Sequence, residues 1–139
     1  MVAAAAVLAG LTLGETRHAE AAGLPPCAAA GPSRPLPAAL AAFPLPRGSV
    51  VTSRRQRYGY VIFSGVVPGY LNPVRDLLVG RAPAAGFRLT GGDAEAAEAE
   101  ASFVGHGGRG RFRLRTDFGC AGTLRLELAF RPLSGRRAR

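Results

Sequence analysis

Arg109, Arg111, Arg113 and Arg115 fall at every second position, and this is the pattern in the chain with the clearest chemical meaning. A guanidinium is a rigid planar fork of donors that matches the geometry of carboxylate and phosphate groups. At strand periodicity the four side chains share one face, while Phe112 and Leu114 take the other. Such a stripe either meets an anion or is neutralised by carboxylates on the neighbouring strand. Glu98 and Glu100 can supply that neutralisation. Gly105-His106-Gly107-Gly108 reads as a hairpin loop, rich in the residue that tolerates positive φ. One register sets Val104 opposite Arg109, Glu100 opposite Arg113 and Glu98 opposite Arg115. A register two residues longer sets Glu100 opposite Arg115 instead. Both keep apolar residues facing apolar residues, so alternation alone does not choose between them.

Opposite charges directly across a ladder stabilise by roughly 0.2–1 kcal/mol per pair. A solvated face laced with such pairs is therefore expected around Glu98 and Glu100. Arg109, Arg111, Arg125 and Arg131 are left without an obvious acidic partner; with Arg113 they are the candidate anion contacts. Phe112 points inward in this pattern, so the stacking surface of a nucleic-acid platform is expected to be missing from the arginine face. No specific nucleic-acid partner is expected.

Other residues with chemical potential do not assemble into a site. His106 sits among glycines and reads as an exposed turn residue, with no second ligand nearby for a metal. Gly105-x-Gly107-Gly108-x-Gly110 is glycine-rich, but a phosphate loop must open a helix and the flanks here read as strands. Asp93, Glu95, Glu98 and Glu100 are strung along a strand by alternation, whereas calcium needs oxygens converging around one turn. Ser49, Ser53, Ser64 and Ser102 have no histidine partner visible in the sequence. The sequence thus assigns no catalytic, cofactor-binding or metal-ligating residue.

The elements that must carry the arginines follow from periodicity. Residues 50–53 form a short β-prone run, residues 54–57 a basic turn, and residues 58–67 a longer strand dense in Tyr, Val, Ile and Phe. Pro68-Gly69 stops it. Leu71, Val74, Leu77 and Leu78 recur at helical spacing, with Asn72 as the expected N-cap and Pro73 in the first turn. Pro83 limits this helix and Gly86 ends it. Residues 87–90 start a strand, and Gly91-Gly92-Asp93 is read as a turn. Residues 97–104, 109–115 and 123–131 then alternate strictly, with Leu124, Leu126, Leu128 and Phe130 inward and Arg125, Glu127 and Arg131 outward. The expected fold is α+β: a single antiparallel sheet, element order β-β-α-β-β-β-β, with one helix packed on its apolar face.

The ends of the chain are of a different kind. The chain has 139 residues. Residues 2–13 are a short apolar run, too brief to span a bilayer, and Ala19-Glu20-Ala21 is a small-x-small cleavage pattern. Residues 1–21 are thus read as a signal peptide, which leaves no transmembrane anchor and a secreted or extracytoplasmic chain. Nothing basic precedes Arg17, which departs from the usual layout. Residues 22–42 are rich in Ala and Pro and read as a linker; residues 43–133 form the domain, and residues 134–139 a basic tail. Cys27 and Cys120 are the two cysteines. In an exported protein they are expected to pair and staple the linker to the domain. All eighteen basic residues are Arg and the net charge is +9. The absence of Lys beside abundant Ala, Gly and Pro is the mark of a GC-rich coding bias, but the charge itself favours polyanions.

Pro44-x-Pro46-x-Gly48, Gly65-Val66-Val67-Pro68-Gly69, Ala85-Gly86-Phe87, Glu98-x-Glu100-x-x-Phe103, Gly110-Arg111-Phe112 and Cys120 together resemble small exported domains of high-GC bacteria that have no assigned activity. The resemblance spans most of residues 43–130, mainly at turn and core positions. It implies export and an α+β shape, and it carries no known activity.

These readings converge on a secreted or envelope-associated, non-enzymatic binding domain. Its expected partner is a protein or an anionic polymer at the cell surface, the latter held through the arginine-rich sheet face. A small hydrolase whose site is dispersed in sequence is the alternative.

Overall fold

A computed structural model of the chain describes residues 23–28 and 30–134. The expectations for residues 1–21 and for the tail beyond Ser134 fall outside the described residues.

Six strands form one antiparallel sheet: β1 (Val50–Arg57), β2 (Tyr60–Pro68), β3 (Arg88–Ala94), β4 (Glu98–Gly105), β5 (Gly108–Thr116) and β6 (Thr123–Pro132). Their spatial order is β1-β2-β6-β5-β4-β3, and α1 (Leu71–Arg81) carries the chain from β2 to the far edge at β3. The expected α+β architecture and element order are those observed. Strict alternation decides the faces: Phe63, Val67, Ala99, Ala101, Phe103, Phe112, Leu114, Leu124, Leu126, Leu128 and Phe130 are all buried in one core cluster. Leu71, Val74 and Leu78 of α1 close over it.

The local readings hold in part. Two hairpins turn on residue pairs with positive φ, Tyr58-Gly59 (50° and 77°) and His106-Gly107 (50° and 75°). This is the type I′ geometry whose twist matches antiparallel strands. The basic run 54–57, expected as a turn, is strand: it pairs residue by residue with β2, from Arg54 opposite Phe63 to Arg57 opposite Tyr60. Gly91-Gly92-Asp93, also expected as a turn, continues β3 past an irregularity between Leu89 and Gly91. Both are edge strands, where ladder pairing on one side suffices and no apolar alternation is needed. The residue at the N-cap of α1 is Tyr70, in extended conformation and without a side-chain cap, rather than Asn72. Pro73 occupies the first turn, and the helix stops at Arg81 before Pro83.

The Ala/Pro-rich stretch before the sheet is packed from Leu36 onward, while residues 30–35 are exposed. Ala38–Leu40 form a 3₁₀ turn, Leu40 is fully buried, and Leu36 and Ala39 lie against the core. Phe43 completes the lid, its ring 5.3 Å from Phe87 and 5.2 Å from Phe103. Three apolar side chains of the stretch, Leu36, Ala39 and Leu40, anchor it despite its prolines. Cys27 and Cys120 form the disulfide expected between the N-terminal stretch and the β5–β6 loop. Buried Cys120 also lies 3.3 Å from the Thr123 hydroxyl.

Candidate functional site

The five strand pairings define the face opposite the core as a grid. The β4–β5 hairpin takes the first of the two registers left open by the sequence: Val104 faces Arg109, Glu100 faces Arg113 and Glu98 faces Arg115. Across β5 and β6, Arg109 faces Arg131, Arg111 faces Ala129, Arg113 faces Glu127 and Arg115 faces Arg125. Across β6 and β2, Ala129 faces Ile62 and Glu127 faces Ser64, with Tyr60 carried beside Arg131.

The rows of this grid differ sharply in charge. One runs Ser53, Ser64, Glu127, Arg113, Glu100, Asp93, with acids enclosing the guanidinium. Arg113 is held there by Glu98 at 3.1 Å and Glu100 at 3.2 Å. Nearby, Arg115 meets Glu98 at 2.6 Å and Arg55 meets Glu127 at 3.1 Å. The row at the other end runs Arg57, Tyr60, Arg131, Arg109, Val104, Arg88 and contains no carboxylate. Among the described residues, none of its four arginines has an acidic partner within 4 Å.

Two like-charge pairs make the contrast clear, because both bridge β5 and β6. Arg115 and Arg125 face each other at one end, and each has a carboxylate: Glu98 for the first, and Asp117 at 3.6 Å for the second. Arg109 and Arg131 face each other at the other end with none. Like charges directly opposite in a ladder destabilise it. The first pair is relieved by its neighbours. The second has no carboxylate to relieve it, and the Arg131 guanidinium lies near the Tyr60 ring instead.

The candidate anion contacts therefore separate. Arg109 and Arg131 lie together at the acid-poor end, and Arg111 stands one row in, with Glu100 at 3.7 Å. Arg113 is engaged by two carboxylates, and Arg125 lies at the opposite end beside Asp117. Sequence reasoning did not include Arg57 and Arg88, whose place in the row depends on the β1–β2 and β3–β4 pairings.

The outer face is also shaped. Ile62 and Val66 are buried, yet they stand on the opposite side of β2 from Phe63 and Val67 and outside the core cluster. Residues from the β1–β2 turn and from β3, at opposite edges of the sheet, line a single groove of about 660 Å³. The sheet is thus curled with its outer face concave. The groove floor is Tyr60, Ile62, Ala129 and Val104; Arg57, Arg109 and Arg111 stand along it, as does Glu127, which is paired with Arg55. Tyr60 supplies this face with an aromatic ring that the reading of β5 alone did not find. The Arg131 guanidinium lies 5.9 Å from the Tyr60 ring centre, and that of Arg57 lies 5.0 Å from the ring of Tyr58. Tyr58 stands at the mouth of the groove, 82% exposed and at φ 50°.

The remaining sequence candidates have structural roles. His106 is exposed as expected, but it is tethered. Its Nε2–H donates to the Ala85 carbonyl at 2.8 Å, and its ring centre lies 4.6 Å from that of Phe87. It ties the β4–β5 hairpin to the turn after α1. Asp93 accepts from the Ala94 amide, while Glu98 and Glu100 are committed to arginines. Among the described residues, no His, Cys, Asp and Glu side chains converge into a group able to hold a metal ion, and no helix is long and apolar enough to cross a membrane. Compared with known proteins, the chain matches no family model, no curated protein and no solved structure.

Proposed function

We propose that this chain is an extracytoplasmic, non-enzymatic binding domain that holds an anionic ligand at the Arg109–Arg131 end of its concave sheet face. The observation that carries the reading is the paired contrast across β5 and β6. Facing arginines are compensated at one end and left facing each other, uncompensated, at the groove end. A ladder that keeps a repulsive pair beside a groove is arranged to receive negative charge from outside, since an external anion relieves what the fold does not. The Cys27–Cys120 disulfide supports an oxidising compartment, as does the signal-like layout of the N-terminus.

Retention on an immobilised sulfated polysaccharide, measured across a salt gradient, tests this. The protein is expected to be retained at low salt and released steeply as salt rises. Arg109→Glu with Arg131→Glu is expected to abolish retention. Arg34→Glu with Arg47→Glu makes the same change in net charge away from the groove and is expected to lower retention only slightly. Equal losses in the two double variants would reduce the effect to net charge and overturn the proposal.

A further inference from the structure

We infer that the groove accepts a linear acidic glycan, a chain of sugar rings bearing carboxylates, laid across the strands rather than along them. This rests on the anion-binding reading and specifies its ligand.

The direction follows from where the cations stand. Arg57, Arg131, Arg109 and Arg88 belong to β1, β6, β5 and β3. In the order of the sheet they are two, one and two strand steps apart. At ~4.8 Å per step the row is ~24 Å long measured along the sheet. A compact anion bridges only the adjacent pair, Arg109 and Arg131. Charges repeated along a chain are needed to engage all four. The groove runs the same way, from Tyr58 at the β1–β2 turn to Thr90 on β3; Arg57 and Arg109 line it, while Arg131 and Arg88 stand beside its lining residues Tyr60 and Val104.

The chemistry of the ligand body follows from the floor between the cations. Tyr60, Ile62, Ala129 and Val104 are aromatic or aliphatic, and Ile62 is buried. A bare polyanion such as polyphosphate gains nothing from desolvating them. A sugar ring has an apolar C–H face that packs on such a floor, and hydroxyls at its rim that suit Ser102 and Thr90 beside it. A nucleic-acid strand fits less well, because successive bases need successive rings. The solvent-accessible aromatic rings of the groove, Tyr58 and Tyr60, stand at its β1–β2 end, whereas Phe103, which also lines it, is buried in the core and offers no face for stacking.

Calorimetric titration of the full protein with galacturonate, its trimer and its hexamer, with inorganic polyphosphate and a single-stranded oligonucleotide as charge-matched competitors, tests the inference. The hexamer is expected to bind more tightly than the monomer by on the order of a hundred-fold, because several weak contacts are joined. Tyr60→Leu keeps an apolar residue on a half-buried strand. It is expected to weaken the hexamer by about five-fold and leave polyphosphate unchanged. Thermal unfolding of the variant checks that the fold is intact, and Tyr60→Phe is expected to restore hexamer binding. Polyphosphate binding as tightly as the hexamer, with no effect of Tyr60→Leu on either, would overturn the glycan assignment while leaving anion binding standing. Tighter binding of the oligonucleotide would also overturn it. If Arg109→Glu with Arg131→Glu altered none of these affinities, the anion-binding reading itself would fall.

Discussion

Replacing Arg109 by Glu is expected to stabilise the fold while it weakens the proposed anion site, an uncommon combination that follows from the grid. Arg109 faces Arg131 across β5 and β6 and faces uncharged Val104 across β4 and β5. The substitution converts a directly opposed like pair into an opposed unlike pair. Each of those states is worth roughly 0.2–1 kcal/mol of opposite sign. Both side chains are exposed, so the sum is discounted for solvent screening, and a net gain of about 0.5–1 kcal/mol remains at low salt. For a domain of this size that raises Tm by ~2–4 °C. The gain is expected to shrink towards zero at about 1 M salt, where the screening length falls to ~3 Å. Arg125→Glu is the matched control on the same two strands. Arg125 already has Asp117 at 3.6 Å, and Arg115 already has Glu98 at 2.6 Å, so the new carboxylate lands beside acids and gains nothing. Differential scanning calorimetry of both variants at low and high salt measures the difference. A loss of stability in Arg109→Glu, or an equal gain in Arg125→Glu, would refute the claim that the groove end carries uncompensated repulsion.

The same geometry bears on other positions. Tyr58 holds φ 50° at the first position of a type I′ turn, a conformation that Asn adopts with less strain. Tyr58→Asn is expected to raise stability by about 0.5–1 kcal/mol in denaturant unfolding. Double substitution of Cys27 and Cys120 by Ser removes a link spanning 93 residues and is expected to cost up to ~4–5 kcal/mol, read as a lower midpoint that reductant no longer shifts. Gly110 lies over the Phe103 ring, where an added Cβ would come within 2.8 Å of Phe103 Cε2, so Gly110→Ala is expected to destabilise by about 1–3 kcal/mol in the same assay. Leu40→Ala opens a hole in the core from a residue read as linker, and is expected to cost about 2–4 kcal/mol.

What the sequence revealed and what it hid divide along one physical line. Period-2 alternation in β4, β5 and β6 states which side chains share a face, because in a strand that property is local. Leu124, Leu126, Leu128 and Phe130 are accordingly buried where they were expected. The edge strands were less legible. Arg54–Arg57 and Gly91–Asp93 bury almost nothing, and their strand character comes from backbone pairing with β2 and β4. Gly92 shows that the partner selects the residue: an added Cβ would lie 2.8 Å from the Glu100 carbonyl oxygen. Leu36 and Leu40 were hidden for a similar reason, since a short segment pinned by a few side chains has no period to read.

The site was the least legible part, because it is a product of registers. Arg109 and Arg111 stand in the alternation of β5 alone, but whether an arginine is neutralised depends on the strands beside it. The β4–β5 pairing is set by a two-residue turn and brings Glu98 and Glu100 to Arg113 and Arg115. The β2–β6 pairing joins strands distant in sequence, and only that pairing places Tyr60 and Ile62 on the arginine face. Neutralised rows brace the sheet at one end because each guanidinium there has a carboxylate within 4 Å: Glu98 or Glu100 for Arg113 and Arg115, Asp117 for Arg125. At the other end the same strands run out of acids while their cations continue. One stripe on β5 is thus divided between Arg113, enclosed by Glu98 and Glu100, and Arg109, which faces only Arg131 and Val104.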